Sequence, residues 1–289
     1  MRSAVYESVD EKPRFHALDE LRAGNVRPIQ WKLWRHFHGL RDEKALQALL
    51  PAGSPTSDGL VRDLLAELET SQDLTAALKG RAAQEWARST NQDPTGLLSR
   101  FLSSAGLGRA IFLYAWTRLA RPHVVIETGC FTGWDSAVIL SALDTNNVGH
   151  LYTIDLPAKE ETYSQVGAGS GLPEGLTTGF LVPERLHSRW TLTLGDARRE
   201  LPPLLKKVGN VDLFFHDSHH SYTHMMWEYT SVWPFLKEKG VLASDDIAWN
   251  TAFWDFAAGV GSRPIILRRN PHVGALLREG VGVAGSRGG

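Results

Sequence analysis

Short apolar runs that end in acidic residues recur from about residue 120 onward, and helical segments separate them. Runs such as HVVIETG, HLYTIDL and VDLFFHD have the length and the β-branched or aromatic content of buried strands. Segments such as WDSAVILSALD and ARRELPPLLKK carry apolar residues at helical spacing. Strands that alternate with helices predict an α/β fold with a mostly parallel sheet covered on both faces. The last segment, PIILRRNPHVGALLRE, predicts an antiparallel hairpin of two strands.

The first hundred residues have a different pattern. EKALQALL and DGLVRDLLAELETSQDLTAALKG place apolar residues three and four positions apart, which predicts helices. The strand-like runs begin only after this region. We therefore divide the chain into a helical N-terminal extension, residues 1–100, and an α/β domain, residues 101–289.

Composition argues against several classes of protein. A formal net charge of −1 provides no global basic field for nucleic acid or an anionic membrane. We find no apolar run of membrane-spanning length, and the segment MRSAVYESVDEKPRF is too polar for a secretory signal. The single cysteine, Cys130, excludes an internal disulfide and a multi-thiolate zinc site. We expect a cytoplasmic protein that binds a small molecule and neither nucleic acid nor membrane.

The strand ends predict where that ligand binds. In open parallel sheets, ligands bind beyond the carboxyl ends of the strands. Five successive predicted strands end in or beside a carboxylate, whereas helix capping alone would account for only one or two of them. These positions are Glu127-Thr128-Gly129, Asp155, Gly195-Asp196, Asp217 and Asp245-Asp246.

The first two strand ends favour an adenosine-containing ligand. The loop Gly129–Gly133 allows close approach to the backbone, but it lacks the G-x-G-x-x-G spacing of a dinucleotide site, which argues against a bound pyrophosphate. Asp155, at the end of the second strand, stands where an acidic residue commonly accepts hydrogen bonds from both ribose hydroxyls. Asp196, at the end of the third strand, can pair with the exocyclic amine of adenine.

The fourth and fifth strand ends favour a metal ion. Neighbouring parallel strands lie about 4.8 Å apart, so Asp217, Asp245 and Asp246 can converge on one point. Carboxylates brought together in this way repel one another unless a cation neutralises them. Oxygen ligands favour a hard ion, Mg²⁺ first, with Mn²⁺ or Ca²⁺ as alternatives.

The series VVIETGCFTG, LYTIDL, LTLGDA, VDLFFHD and GVLASDD resembles the class I S-adenosylmethionine-dependent methyltransferases over roughly residues 100–280. The order and spacing of the pieces carry the resemblance, which implies a Rossmann-like sheet and this cofactor. It also implies a set of residues in contact with the cofactor. They are Glu127, Thr128, Gly129, Cys130, Phe131, Thr132, Gly133, Ser136, Asp155, Leu156, Gly195, Asp196, Ala197 and His216.

DSHHSY followed by LKEKGVLASDDI is further similar to metal-dependent O-methyltransferases of the catechol and macrolide-sugar types. The usual form there is close to D-G-x-H-S-Y and then G-G-x-x-x-x-D-D-I. Ser218 replaces the common glycine, and Lys239-Gly240 replaces the usual Gly-Gly; neither change removes a ligand. The resemblance implies metal ligation by Asp217, Asp245 and Asp246. It implies that His220, three residues after Asp217, is the general base, with His219 as the rival.

These observations predict a divalent-metal-assisted O-methyltransferase that acts on a hydroxyl of a small molecule, such as a sugar, polyketide or phenol of natural-product biosynthesis. Two alternatives stay open: a cofactor-binding relative that catalyses a non-methylating reaction, and a non-catalytic binding protein. We expect the glycine-rich segment 156–180 to form a mobile lid. We expect the N-terminal extension either to cap the acceptor pocket or to form a homo-oligomer surface.

Overall fold

The computed structural model describes residues 42–50, 54, 58–90, 104–159, 171–266 and 272–279. The described residues before position 91 contain four helices: α1 (Asp42–Leu49), α2 (Asp58–Glu69), α3 (Gln72–Lys79) and α4 (Arg81–Ser89). The single long helix that the sequence predicts over residues 58–80 is therefore two helices. Ser71 separates them because its side chain caps α3 by accepting a hydrogen bond from the backbone N–H of Leu74.

The α/β part begins with α5 (Ser104–Ala120) and continues in regular alternation of strands and helices. The further elements are β1 (Val124–Thr128), α6 (Trp134–Asn146), β2 (His150–Asp155), β3 (Trp190–Leu194), α7 (Ala197–Val208), β4 (Val211–His216), α8 (Tyr222–Val232), β5 (Leu236–Ser244), α9 (Ala252–Val260), β6 (Ile265–Ile266) and β7 (Gly274–Leu277).

These strands form one sheet in the order β3-β2-β1-β4-β5-β7-β6. The first five strands are parallel, and β7 runs antiparallel to both β5 and β6. The predicted Rossmann-like sheet with a C-terminal antiparallel strand pair is thus confirmed. The residues that connect β6 to β7, 267–271, lie outside the described part of the chain.

Both faces of the sheet are buried, as the alternation of side chains along the central strands requires. Val125 of β1 belongs to a core with α5 and α6, whereas its neighbour Ile126 belongs to a core with α7, α8 and α9. The N-terminal helices extend the first core, where the indole N–H of Trp116 donates to the backbone oxygen of Leu49 at 3.2 Å. The boundary near residue 100 remains a prediction, since residues 91–103 are not described.

One predicted boundary is wrong. The sequence pattern predicts a helix from Tyr222 to Glu238, but α8 ends at Val232, a short 3₁₀ turn follows, and β5 begins at Leu236. Pro234 explains the early end, because it has no N–H for a helical hydrogen bond and its ring obstructs the preceding turn. Leu236 is then extended beside Val211 of β4.

Gly129, directly after β1, provides a test of how tightly the strand ends pack. Its φ is +80°, and a Cβ there would lie 2.1 Å from the carbonyl oxygen of Asp217. We expect Gly129→Ala to destabilise the fold by clearly more than the roughly 1–3 kcal/mol of backbone strain alone, measured by urea unfolding.

Gly209→Ala is the matched control, because Gly209 has a φ of +72° but no atom within 4 Å of the added Cβ. Its loss of stability should therefore report strain without steric overlap. Equal losses in the two variants would contradict the close approach of the β1 and β4 ends.

Candidate functional site

The carboxyl ends of the strands are held together by hydrogen bonds that continue one residue past the strands. The N–H of Asp217 donates to the oxygen of Thr128 at 2.8 Å, and the N–H of Asp245 donates to the oxygen of His216 at 2.9 Å. On the other side, the N–H of Gly129 donates to the oxygen of Ile154 at 2.9 Å. The backbone therefore fixes the acidic strand ends in one row, as the sequence predicted.

Asp155 organises the loop that follows β1. Its Oδ2 accepts hydrogen bonds from the N–H groups of Cys130 and Phe131 at 2.8 and 2.7 Å, and its Oδ1 accepts from the N–H of Leu156 at 2.7 Å. The end of the loop packs closely against the backbone of Gly179, because a Cβ added to Gly133 would lie 2.7 Å from the Cα of Gly179. Both carboxylate oxygens retain lone pairs, so a further donor such as a hydroxyl can still bind.

Glu127 is a fully buried carboxyl group at the end of β1. Its Oε2 accepts hydrogen bonds from the hydroxyls of Ser136 at 2.5 Å and Thr153 at 2.9 Å, while its Oε1 is buried without a hydrogen-bond partner. Burial raises the pKa of Glu127 to about 8, and the nearby charge of Asp135 adds to the effect. The group therefore holds a proton at neutral pH.

Arg109 of α5 lies among three carboxylates. One guanidinium nitrogen is paired with Asp245 and lies 3.4 Å from Oδ2 of Asp217, while the other is 2.9 Å from Oδ2 of Asp135. Helix α5 ends just before β1 and runs antiparallel to it. Arg109 lies about 16 Å from the end of the helix, close to the length of a five-residue strand, and so reaches the carboxyl edge.

Burial dominates the protonation of this acidic group. It raises the pKa of Asp217 well above the usual range, against the lowering effect of Arg109, and Asp245 and Asp135 raise it further. Burial likewise raises the pKa of Asp135. Burial lowers the pKa of Arg109, but the charges of the three carboxylates outweigh burial and raise this pKa overall. The guanidinium therefore stays charged.

Asp246, the third predicted metal ligand, is turned toward a different partner. Its backbone is left-handed, with φ of 48°, and its Oδ1 lies 3.7 Å from Nδ1 of His272. Asp217 and Asp245 share Arg109, and the charge of Asp246 raises the pKa of Asp217. Within the described ranges, no group of three or more His, Cys, Asp or Glu side chains has the arrangement of a metal site.

The histidines after β4 fall into two sets, and the first surrounds Glu228 of α8. Glu228 is fully buried; its Oε2 contacts Nδ1 of His216 at 2.6 Å and its Oε1 contacts Nε2 of His224 at 2.9 Å. The hydroxyls of Thr128 and Ser218 also donate to it, at 2.7 and 2.9 Å. Burial alone would raise the pKa of Glu228, but the two histidines outweigh burial and hold it well below the usual range.

His220 stands apart from this network and faces Asp217. Its Nε2 is buried, has no hydrogen-bond partner and lies 3.7 Å from Oδ1 of Asp217. Burial lowers its pKa well below the usual range, and the adjacent His216 adds to this shift. The imidazole is therefore neutral at physiological pH and has an available ring nitrogen. Its ring lies 5.0 Å from that of Trp249, which is 39% exposed.

His219, the rival base, is more exposed to solvent and is engaged differently. Its Nδ1 is 3.2 Å from the hydroxyl of Ser221, the residue that caps α8. The backbone of His220 is held separately, since the side-chain amide of Asn250 donates to its carbonyl oxygen at 2.8 Å. The loop thus presents His220, and not His219, beside Asp217.

Residues 126–247 match the family model described as "Methyltransferase domain". The match runs from β1 to the residue after Asp246, and so contains all of the acidic strand ends. This region of the chain is therefore similar to methyltransferase domains. A search of curated proteins found no match to the chain.

A search of solved structures also found matches to this chain. The O-methyltransferase TomG from Streptomyces achromogenes is 15% identical, with 73% of this chain and 91% of that chain covered and a TM-score of 0.47. PaMTH1 from Podospora anserina is 16% identical, with 78% and 98% covered and a TM-score of 0.45. CalS11, a TDP-rhamnose 3'-O-methyltransferase, is 17% identical, with 73% and 94% covered and a TM-score of 0.46.

The residues at the β1 edge fit the cofactor that the sequence predicts. S-adenosylmethionine carries an ammonium and a sulfonium, and the unpartnered Oε1 of Glu127 is an acceptor suited to a cation. At the β3 end, Oδ1 of Asp196 accepts a hydrogen bond from the N–H of Arg198 and caps α7, with Gly195 and Ala197 on either side. The individual cofactor contacts listed from the sequence, including those of Thr132 and His216, stay predictions.

The segment predicted to be a lid, residues 156–180, is described only in part, because residues 160–170 are outside the described part of the chain. After that gap the N–H of Gly179 donates to the oxygen of Phe131, and the N–H of Leu181 donates to that of Thr132, both at 2.8 Å. The C-terminal part of the segment is therefore anchored on the glycine loop. Its movement remains a prediction.

No helix in the described ranges is long and apolar enough to span a membrane.

Sequence reasoning missed three charged residues of the candidate site: Arg109, Asp135 and Glu228. Arg109 and Asp135 had no signal, because nothing in their own segments suggests a partner. Glu228 had one: it follows His224 by four residues, a spacing that brings side chains together on a helix, and it stands among apolar neighbours.

Glu127 predicts a pH-dependent stability. Its pKa in the folded chain, about 8, lies above the unfolded value of 4.5, so its favourable contribution is complete below pH 4.5 and disappears as pH rises through 8. We expect Glu127→Gln, which cannot ionise, to gain stability relative to wild type between pH 5 and 8, by up to a few kcal/mol. Urea unfolding of the chain without cofactor measures this difference.

Exposed Glu174 provides the control for this experiment, because Glu174→Gln changes the same group at the surface. Its stability difference from wild type should not vary with pH over this window. A constant difference for Glu127→Gln as well would mean that Glu127 is already ionised in the folded chain at pH 5.

For Glu228→Gln we expect a loss of stability at neutral pH, in contrast to the gain expected for Glu127→Gln. Replacing it by Gln removes the charge that His216 and His224 share, and breaking a buried pair typically costs about 3–5 kcal/mol. We expect a loss of this size in urea unfolding at pH 7, against little change in Glu174→Gln. A loss below about 1 kcal/mol would contradict a charged Glu228 in the core.

Proposed function

We propose that the chain transfers a methyl group from S-adenosylmethionine to a hydroxyl of a small molecule, with His220 as the general base. The observation that carries this proposal is the ring nitrogen Nε2 of His220, which is buried, unpartnered and next to Asp217. A neutral imidazole in such a position can accept a hydroxyl proton. Each of the other histidines nearby has one ring nitrogen engaged with Glu228 or Ser221. Nε2 of His216 is also buried without a partner, but among the described residues the histidine that pairs with Asp217 is His220.

The proposed reaction is a direct displacement. S-adenosylmethionine supplies an electrophilic methyl group, whose bond to sulfur breaks with its electron pair as an acceptor oxygen bonds to the carbon. Nε2 of His220 takes the proton from that oxygen and later releases it to solvent. The protein contributes by positioning the acceptor and by holding this nitrogen unprotonated.

The surroundings of His220 favour a ring-shaped acceptor. Trp249 presents an exposed indole beside the imidazole, and a flat apolar surface of this kind suits a sugar or an aromatic ring. Asn250 and Met225 hold the loop that carries Trp249 against α8. We therefore propose a hydroxylated sugar, polyketide or phenol as the acceptor class, in natural-product biosynthesis.

His220→Ala tests the base. We expect kcat to fall by roughly 10²–10⁴-fold, the usual contribution of a positioned base, while calorimetry shows unchanged binding of S-adenosylhomocysteine. Products are assayed by mass spectrometry over a panel of hydroxylated rings. Because the pKa of His220 is lowered, the rate of wild type should stay high below pH 6.5 and decline only at lower pH.

His219→Ala is the matched control and should alter kcat by a few-fold at most. Loss of activity in His219→Ala alone would assign the base to His219. Cofactor turnover without a mass gain of one methylene unit would favour the non-methylating alternative. A chain that binds neither S-adenosylmethionine nor S-adenosylhomocysteine would favour the binding-protein alternative.

A further inference from the structure

The acidic end of the site already contains a cation. The guanidinium of Arg109 contacts Asp135, Asp217 and Asp245, which come from α6, the end of β4 and the end of β5. It holds the place between Asp217 and Asp245 where the sequence predicts a divalent ion. A helix side chain from outside the family-matched region thus completes the cluster.

The donor set does not fit a divalent ion as long as Arg109 stands there. Such an ion would need the Oδ2 atoms of Asp217 and Asp245 that the guanidinium engages, and two cations in contact repel strongly in a partly buried site. Oδ1 of the third predicted ligand, Asp246, lies 3.7 Å from Nδ1 of His272. In Asp135 the guanidinium has a carboxylate partner that was not among the predicted metal ligands.

We propose that Arg109 is the resident cation of the acceptor site and that methyl transfer by this chain proceeds without a divalent ion. The proposal rests on the proposed function, because it concerns the acceptor oxygen beside His220. A guanidinium is permanently charged and presents its N–H donors in a fixed plane. Arg109 thereby holds Asp217 and Asp245 in place, and its field favours the negative charge that develops on the acceptor oxygen.

Titration of the metal-free full chain with Mn²⁺ alone, followed by electron paramagnetic resonance, tests the proposal without any assay of activity. Wild type should show no saturable Mn²⁺ site. Arg109→Ala removes the competing cation and should gain one Mn²⁺ site, which the double variant Arg109→Ala, Asp245→Asn loses again. Arg109→Lys keeps the positive charge and should not gain a site.

Arg118→Ala is the matched control, because Arg118 belongs to the same helix but pairs with Glu67 far from the cluster. It should bind no Mn²⁺. In the activity assay, wild type should be equally active with and without EDTA. Arg109→Ala should lose roughly 10²–10³-fold in kcat with a smaller change in KM, as expected for a group that acts mainly on developing charge.

A single Mn²⁺ site in wild type that Asp245→Asn abolishes would overturn the proposal. So would a folded Arg109→Ala chain, verified by circular dichroism, that gains no Mn²⁺ site. If Arg109→Ala does not fold, the wild-type and Arg109→Lys titrations decide. The Mn²⁺ titration contains neither cofactor nor acceptor, so absence of any methylated product would refute the proposed function separately.

Discussion

The burial of several carboxylates at one edge of the sheet is the constraint on which the site depends. The backbone ladder fixes Asp217 and Asp245 side by side, so they cannot move apart to relieve their repulsion. Burying charges is costly unless they are paired and hydrogen-bonded. Arg109 provides that pairing from the opposite layer of the fold. The long helix α5 is therefore part of the hydrophobic core and also supplies the positive charge that compensates the carboxylates at the sheet edge.

The sheet and its acidic edge were predictable, because both follow from local pattern and one topological rule. Strand runs that end in carboxylates must share an edge once the strands are parallel, and Glu127, Asp155, Asp217 and Asp245 do so. The partner of that edge was not predictable. Arg109 precedes Asp245 by 136 residues and has no acidic neighbour in its own turn of helix, so only the folded helix length brings the two together. The end of α8 at Val232 follows from Pro234, which cannot continue the helix that the apolar spacing predicts.

The histidines show where local spacing is sufficient and where it is not. Asp217 and His220 lie 3.7 Å apart, although residues 217–221 form a loop and not a turn of helix. Reasoning from helical spacing could have found His224 and Glu228, which are four residues apart on α8. What spacing could not supply was His216, which reaches Glu228 from the sheet across the interior. His216 therefore belongs to the buried network around Glu228, whereas His220 pairs with Asp217.

The buried carboxyl groups at the β1 end and at the β4 and β5 ends of the sheet edge are compensated in different ways. At the β1 end Glu127 holds a proton, so a cation can replace that proton without a large rearrangement. At the β4 and β5 ends the compensation is a fixed guanidinium, which a visiting cation would have to displace. A cationic cofactor is thus favoured at one end and a neutral hydroxyl at the other. In the proposed reaction, this difference in charge compensation orients the two reactants along the sheet edge before any specific contact is made.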